Sequence, residues 1–383
     1  MLPDFRLETY FSRWEFNARY HMTASDMETL SMQELLDMAD DDTRQAWDSL
    51  RLGYTETFGR PSLRQAIANT YERIGEDDVL TFAGAEEGIF AAMQVLMSAG
   101  DHAIVITPNY QAAETIPLSI GDVTGIALDP DDNWSLDVDA VEAAIRPTTK
   151  LISFNFPHNP TGKVIDHASL DRLVSIAREH DIHLFSDEVY RLLERDESIR
   201  LPQVADIYEK GLSLNVMSKA YGLPGLRIGW IATRDRSVLS SMERAKHYLS
   251  ICNSGPSEVL AEIALGAREQ ILERNHRIIE ANLEQLNAFF EDHTELFEWT
   301  LPDGGCIGYP RYLGNDGVEA FCKSLVEESG VLLLPASVYS SSLTPVPTDR
   351  FRIGYGRKNI GEGLDVMRAH LASGQTVRAA SQA

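Results

Sequence analysis

The sequence predicts an α/β fold: a mostly parallel central sheet with helices on both faces, plus a smaller α+β domain. Two features of the 383-residue chain carry this expectation. From about residue 80, short β-branched runs alternate with longer amphipathic stretches, the strand–helix–strand rhythm of a parallel sheet covered on both sides. After about residue 270 the rhythm gives way to a long helical run followed by shorter strands and helices. The predicted division is a large domain at 46–270 and a small one built from 1–45 and 271–383.

The elements follow in order. HAIVIT (102–107), VTGIAL (123–128), KLISFN (150–155), DIHLFS (181–186) and LSLNVM (212–217) read as buried strands. Between them, 86–98, 111–119, 137–145 and 167–180 read as helices, with Asp137 and Asp166 as N-caps. GLRIGWIAT (225–233) adds a further strand. A helical run covers 257–291. Strands are expected at 296–301, 305–310, 331–335 and 350–355, with helices at 316–328 and 359–371. The tail ASGQTVRAASQA (372–383) is small and polar and is expected to fray.

Composition removes several function classes. At 44% hydrophobic and 24% charged residues, the chain suits a soluble globular protein. A net charge of −24 argues against binding nucleic acid, whose phosphates need a basic surface. No apolar run is long enough to span a bilayer, and the N-terminus has acids where a signal peptide needs an apolar core. Three cysteines, odd in number and without metal-ligand spacing, point to a reduced, cytoplasmic setting and no metal.

Chemistry gathers where the strands end. Ligands of open parallel sheets sit beyond the carboxyl ends of the strands. Pro108-Asn109-Tyr110 follows one predicted strand, PHNPTG (157–162) with Asn159 another, Asp187-Glu188-Val189-Tyr190 a third, and Ser218-Lys219 a fourth. Lysine is scarce here, and Lys219 lies in SKAYGLPGLRIGW (218–230), poorly placed for solvation. A less hydrated amine loses its proton readily and can form a Schiff base. Arg227, with its planar fork, suits a phosphate.

A Schiff-base lysine with a phosphate-binding arginine is what pyridoxal 5′-phosphate requires. Its ring works as an electron sink when a carboxylate keeps the nitrogen protonated, a task for Asp187. Asn159 and Tyr190 can donate to the ring oxygen, and Tyr110 can stack on the ring. Gly84, Ala85 and Glu86 open GAEEG (84–88), where backbone N–H groups of a helix start can meet the phosphate. No GxGxxG or Walker A string occurs, which disfavours a nicotinamide Rossmann enzyme or a P-loop NTPase.

Over nearly its whole length the chain resembles the class I/II aminotransferases, fold-type I enzymes dependent on pyridoxal phosphate. The resemblance rests on NPTG (159–162), SDEVY (186–190), SKAYGLPGLRIGW (218–230) and FRIGYGR (351–357). It implies Lys219 as the Schiff-base lysine and general base, with Asp187, Asn159, Tyr190 and Tyr110 around the ring. It implies Arg227 on the phosphate, joined by Tyr54 from the partner of a homodimer, and Arg352 on the α-carboxylate of an amino acid substrate.

The chain departs from the family pattern at Val216, where many members carry a phosphate-binding serine; Ser218 is the expected replacement. No second arginine is evident for a side-chain carboxylate. The N-terminal segment TASDMETLS (23–31) offers Ser25, Asp26 and Glu28 to a polar or cationic side chain.

NFPHNPTG (155–162), HYLS (247–250) and GGCIGYPR (304–311) are also similar to cyclases of guanidino amino acids. The motifs shared with those cyclases are mostly cofactor motifs, so transamination stays the leading expectation. Elimination with ring closure on a hydroxylated guanidino amino acid such as hydroxyarginine is the alternative. A non-catalytic regulator is disfavoured, since no basic segment could bind DNA.

Overall fold

The computed structural model describes residues 2–381. Its centre is a seven-stranded sheet: β1 (Val79–Phe82), β2 (His102–Thr107), β3 (Asp122–Ala127), β4 (Thr149–Asn155), β5 (His183–Asp187), β6 (Gly211–Val216) and β7 (Gly229–Ala232). The spatial order is β1-β7-β6-β5-β4-β2-β3. Neighbours from β6 to β3 pair in parallel, whereas β7 runs antiparallel to both β6 and β1.

Helices cover both faces, so the inner strands are apolar along their whole length rather than alternating. Leu151, Leu184, Leu212 and Leu214 are each fully buried. Burying each such side chain contributes about 2 kcal/mol. Only β3, at the sheet edge, keeps several partly exposed residues.

The predicted caps form: Asp137 and Asp166 accept from Ala140 N and Ser169 N. β1 is absent from the sequence reading, because VLTF is too short to show a period. The helical run at 257–291 is two helices, Gly255–Gly266 and Arg268–Glu291, broken at Ala267. The last helix, Ile360–Ser381, continues into the tail expected to fray, and residues 382–383 lie outside the described ones.

Smaller sheets accompany the main one. β8 (Ile307–Gly308) and β9 (Leu334–Pro335) flank β10 (Phe351–Gly354), all antiparallel. The strand expected at 296–301 reduces to Phe297–Glu298. The N-terminal segment runs directly over β10 and the residues after it. Gly354 N donates to Met22 O at 2.9 Å, and Glu28 N to Gly356 O at 2.7 Å. A Cβ on Gly354 would collide with Ala24 O, and one on Gly356 with Asp26 O. Glycine is required at both places because another backbone occupies the side-chain space.

Candidate active site

The carboxyl ends of β4, β5 and β6 deliver three of the predicted groups to one place. Lys219 lies just beyond β6. Its Nζ donates to Ser25 Oγ at 2.8 Å and stands 5.6 Å from the Tyr190 ring centroid. Burial, the largest influence, holds its pKa below the ordinary lysine value, while the charge of Asp26 opposes that shift.

Asp187 closes β5. Burial raises its carboxyl to about 6, against a hydrogen bond from Val189 N and the nearby Lys219 charge. Asn155, the last residue of β4, fixes this corner. Its Nδ2 donates to Asp187 O at 2.8 Å, and its Oδ1 accepts from Asn159 N at 2.8 Å.

Tyr190 is buried, and its phenol is lifted well above the ordinary value by that burial. It therefore stays protonated and can donate. The Asn159 side chain accepts through Oδ1 from Tyr339 Oη at 3.0 Å and Arg352 Nη1 at 3.4 Å. Its amide NH2 donates to none of the described residues, which leaves it available to a ligand.

Arg352, on β10, is completely buried. Its Nη1 donates to Tyr339 Oη at 2.7 Å, Nη2 to Thr23 O at 2.8 Å and Nε to Thr23 Oγ1 at 3.3 Å. All of these partners are neutral, and among the described residues no carboxylate pairs with it. A buried guanidinium without a counter-charge is costly, so the arrangement suits an incoming anion.

The far end of the site is a cradle at the start of the helix Ala85–Leu96. Gly84 is its N-cap, makes no side-chain cap and has φ +95°. A Cβ there would fall 2.5 Å from Arg227 Nη2, so the guanidinium lies across the open helix terminus. Uncapped N–H groups facing an arginine form an anion site. Arg227 itself is exposed and in the left-handed region at φ 51°. Ser218 is half-buried, and Val216 is buried in β6.

Tyr110 follows β2, with its ring centroid 5.2 Å from that of Phe5. Its phenol acts on the carboxyl of Glu86, which burial pushes up to about 7. The Glu86 carboxyl is thereby poised near neutrality beside the cradle.

Two predicted residues have surroundings that the sequence could not reveal. Both Asp26 carboxylate oxygens accept from Arg357 Nη2, at 2.9 and 2.8 Å. Neighbouring Glu28 accepts from Lys358 N at 3.0 Å, so neither acid is an open loop charge. Tyr54 is 93% exposed and forms no hydrogen bond with the described residues of its own chain.

Sequence reasoning missed Tyr339, Thr23, Asn155 and His158. The buried His158 receives Thr161 Oγ1 at Nδ1 and donates from Nε2 to Pro108 O, both at 2.8 Å, because a carbonyl can only accept. Burial lowers its pKa to about 4 and keeps it neutral. It straps the loop carrying Tyr110 to the loop carrying Asn159. Its place inside PHNPTG was the one available signal.

The sequence matches the family described as aminotransferase class I and II over residues 22–363. The chain belongs to this family. Its cofactor is pyridoxal 5′-phosphate, and the fold is that of the fold-type I enzymes. The chain is 27% identical to capreomycidine synthase of Streptomyces vinaceus over 379 residues, 97% of this chain and 95% of that one.

A PLP-dependent aminotransferase from Streptococcus suis 89-1591 superposes with a TM-score of 0.90 at 29% identity, covering 97% and 98% of the two chains. The PLP-dependent cyclase OrfR gives a TM-score of 0.87 at 24% identity, with 97% and 98% covered, a likeness of fold alone. The residues fit the cofactor. The uncapped helix start under Arg227 matches a phosphate, and the buried Asp187 carboxyl matches a cationic ring nitrogen. Among the described residues no helix is long and apolar enough to cross a membrane.

Proposed function

We propose that this aminotransferase-family enzyme transfers the amino group of an α-amino acid bound by Arg352, with Lys219 as the proton carrier. The observation that carries this reading is the Lys219 amine, depressed by burial, standing over Tyr190 and close to Asp187. When bound, pyridoxal phosphate withdraws electrons from the substrate Cα and makes its proton acidic.

The chain's own groups would divide the remaining work. Asp187 holds the proton on the ring nitrogen. Asn159 Nδ2 and Tyr190 Oη donate to the ring oxygen, and Tyr110 covers one ring face. Gly84, Ala85 and Glu86 backbone N–H groups, with Ser218 and Arg227, hold the phosphate. Arg352 orients the α-carboxylate, so that the neutral Lys219 amine can remove the Cα proton and return it one atom away.

We further propose a cytoplasmic homodimer in which Tyr54 of the partner subunit reaches the phosphate. Its 93% exposure, shared with Leu52 at 87% and Tyr248 at 93%, supports this reading. Three free cysteines agree with a reduced compartment. The proposed domains are 46–270 and 1–45 with 271–383, since all seven strands of the main sheet lie between 79 and 232.

The likeness to capreomycidine synthase along almost the full chain favours a second reading, elimination and ring closure on a hydroxylated guanidino amino acid. Asp26 would then meet the guanidinium, since a carboxylate engaged by one Arg357 nitrogen keeps lone pairs free. Incubating the holoenzyme with single amino acids, without any amino acceptor, separates the two. Transamination releases a stoichiometric 2-oxo acid. Cyclisation yields, over many turnovers, a product that keeps its α-nitrogen and has lost the leaving group. Unchanged turnover of guanidino substrates by Asp26→Asn would remove the support for the second reading.

A further inference from the structure

Behind the loop that carries Tyr190 lies a cleft of about 360 Å³, bordered by Tyr71, Arg191, Arg200, Gln203, Asp206 and Arg268. That volume falls within the range of small-molecule sites and far exceeds a single water. Its arginines differ in how they are satisfied. Arg200 is already paired with Glu194 at 2.9 Å. Arg191 and Arg268 are only half-buried in the cleft wall, yet neither side chain makes an ion pair or hydrogen bond with the described residues. The Arg191 Nε is fully buried and unsatisfied.

The acidic residues of the cleft do not neutralise them. Asp206 Oδ1 is taken by Glu72 N at 3.1 Å and Arg73 N at 2.7 Å. Glu72 and Glu269 are exposed on the rim and form no ion pair with either arginine. Both guanidinium groups act on the phenol of the buried Tyr221. Burial pushes that phenol up to about 12, and the two arginines pull against the rise. Both side chains line this one cleft. Glu188 feels the Arg191 charge without pairing with it, and in a chain of net charge −24 two arginines with no carboxylate in ion-pair contact need a separate explanation.

We propose that this cleft is a second, non-catalytic site for a small oxyanion, bound through a phosphate or carboxylate group by Arg191 and Arg268. Two planar forks from different elements can grip one such group from two sides. Arg191 directly follows Tyr190, and Arg268 opens the helix Arg268–Glu291, whose buried Asn275 holds Ala220 O at 2.8 Å. Ala220 adjoins Lys219. An anion bridging the two arginines would thus sit against the segments that carry both Tyr190 and Lys219.

The test is calorimetric titration of the holoenzyme at low ionic strength with inorganic phosphate and, separately, with succinate. The bound cofactor keeps the phosphate cradle filled, and its visible absorption shows that it stays in place. The proposal expects saturable binding of at least one anion, weakened about tenfold in Arg191→Gln or Arg268→Gln and lost in the double variant. The tighter anion identifies the group recognised.

Absence of saturable binding to the wild-type holoenzyme would overturn the proposal, as would binding unchanged in the double variant, including any succinate held at Arg352. Arg268→Gln alone, at a half-exposed helix start, keeps the test usable if Arg191→Gln misfolds.

Discussion

Lys219 Nζ donates to Ser25 Oγ at 2.8 Å, joining residues 194 positions apart. The amine is thus aimed by the N-terminal segment as well as by the turn that follows β6. Because burial holds its pKa below 10.5, the neutral nucleophile is present at lower pH than for a free lysine. The rate at which apoprotein captures pyridoxal phosphate should rise with pH and level off below that value. A rate still climbing through it would mean an unperturbed lysine. Lys219→Ala should leave no borohydride-fixed adduct by mass. Ser25→Ala removes one hydrogen bond, worth about 1 kcal/mol, and should slow turnover roughly fivefold without abolishing it.

Asp187→Asn separates catalysis from stability. The neutral amide cannot keep a ring nitrogen charged, so turnover should fall at least about a hundredfold. The apoprotein should respond in the opposite sense. The folded pKa of about 6 lies above the ordinary 3.8, so the protonated form is favoured by folding. Stability from this group is complete below pH 3.8 and declines as pH rises through 6. Asp187→Asn escapes that loss, and its apoprotein should be more stable than wild type at pH 7.5 by at most about 3 kcal/mol. The gain should vanish near pH 4. Urea melts at the two pH values read this directly.

Gly84→Ala places a methyl group 2.5 Å from Arg227 Nη2 in a backbone region at φ +95°. The arginine must move off the cradle. Cofactor affinity, measured by equilibrium dialysis, should weaken about tenfold or more, and Arg227→Gln should show a loss of similar size. Wild-type affinity in both variants would place the phosphate elsewhere.

Arg352→Lys keeps a charge but not the fork. The lysine cannot reach Thr23 and Tyr339 together while gripping a carboxylate. The expected result is a KM for amino acid substrates raised at least about tenfold, with a smaller change in kcat. An amine lacking the carboxylate should be indifferent to the change.

Much of this site was legible because strand ends announce themselves. Asp187 and Lys219 sit where apolar runs stop, and the parallel sheet brings those stops to one rim. Arg352 and Tyr54 came only through family resemblance, because an arginine in FRIGYGR or a tyrosine in a turn has no local mark of function. Tyr339 gave no signal at all. Its contacts, to Arg352 and to Asn159 180 residues away, exist only after folding. The antiparallel edge was equally hidden, since β1 is four residues long and orientation leaves no trace in composition. The pairing of Asp26 with Arg357 was hidden as well, because the arginine lies at the other end of the chain.

The glycines at 354 and 356 have a practical corollary. Residues 24 and 26 pass directly over them, so the leading segment is a roof over the pocket of Lys219 and Arg352. Shortening the chain to begin after Glu28 would unseat the hydroxyl that aims Lys219, strip Arg352 of both Thr23 contacts and orphan the Arg357 charge. Such a fragment would be an unroofed, protease-sensitive shell rather than a minimal catalyst, and an engineer seeking a compact version should trim elsewhere.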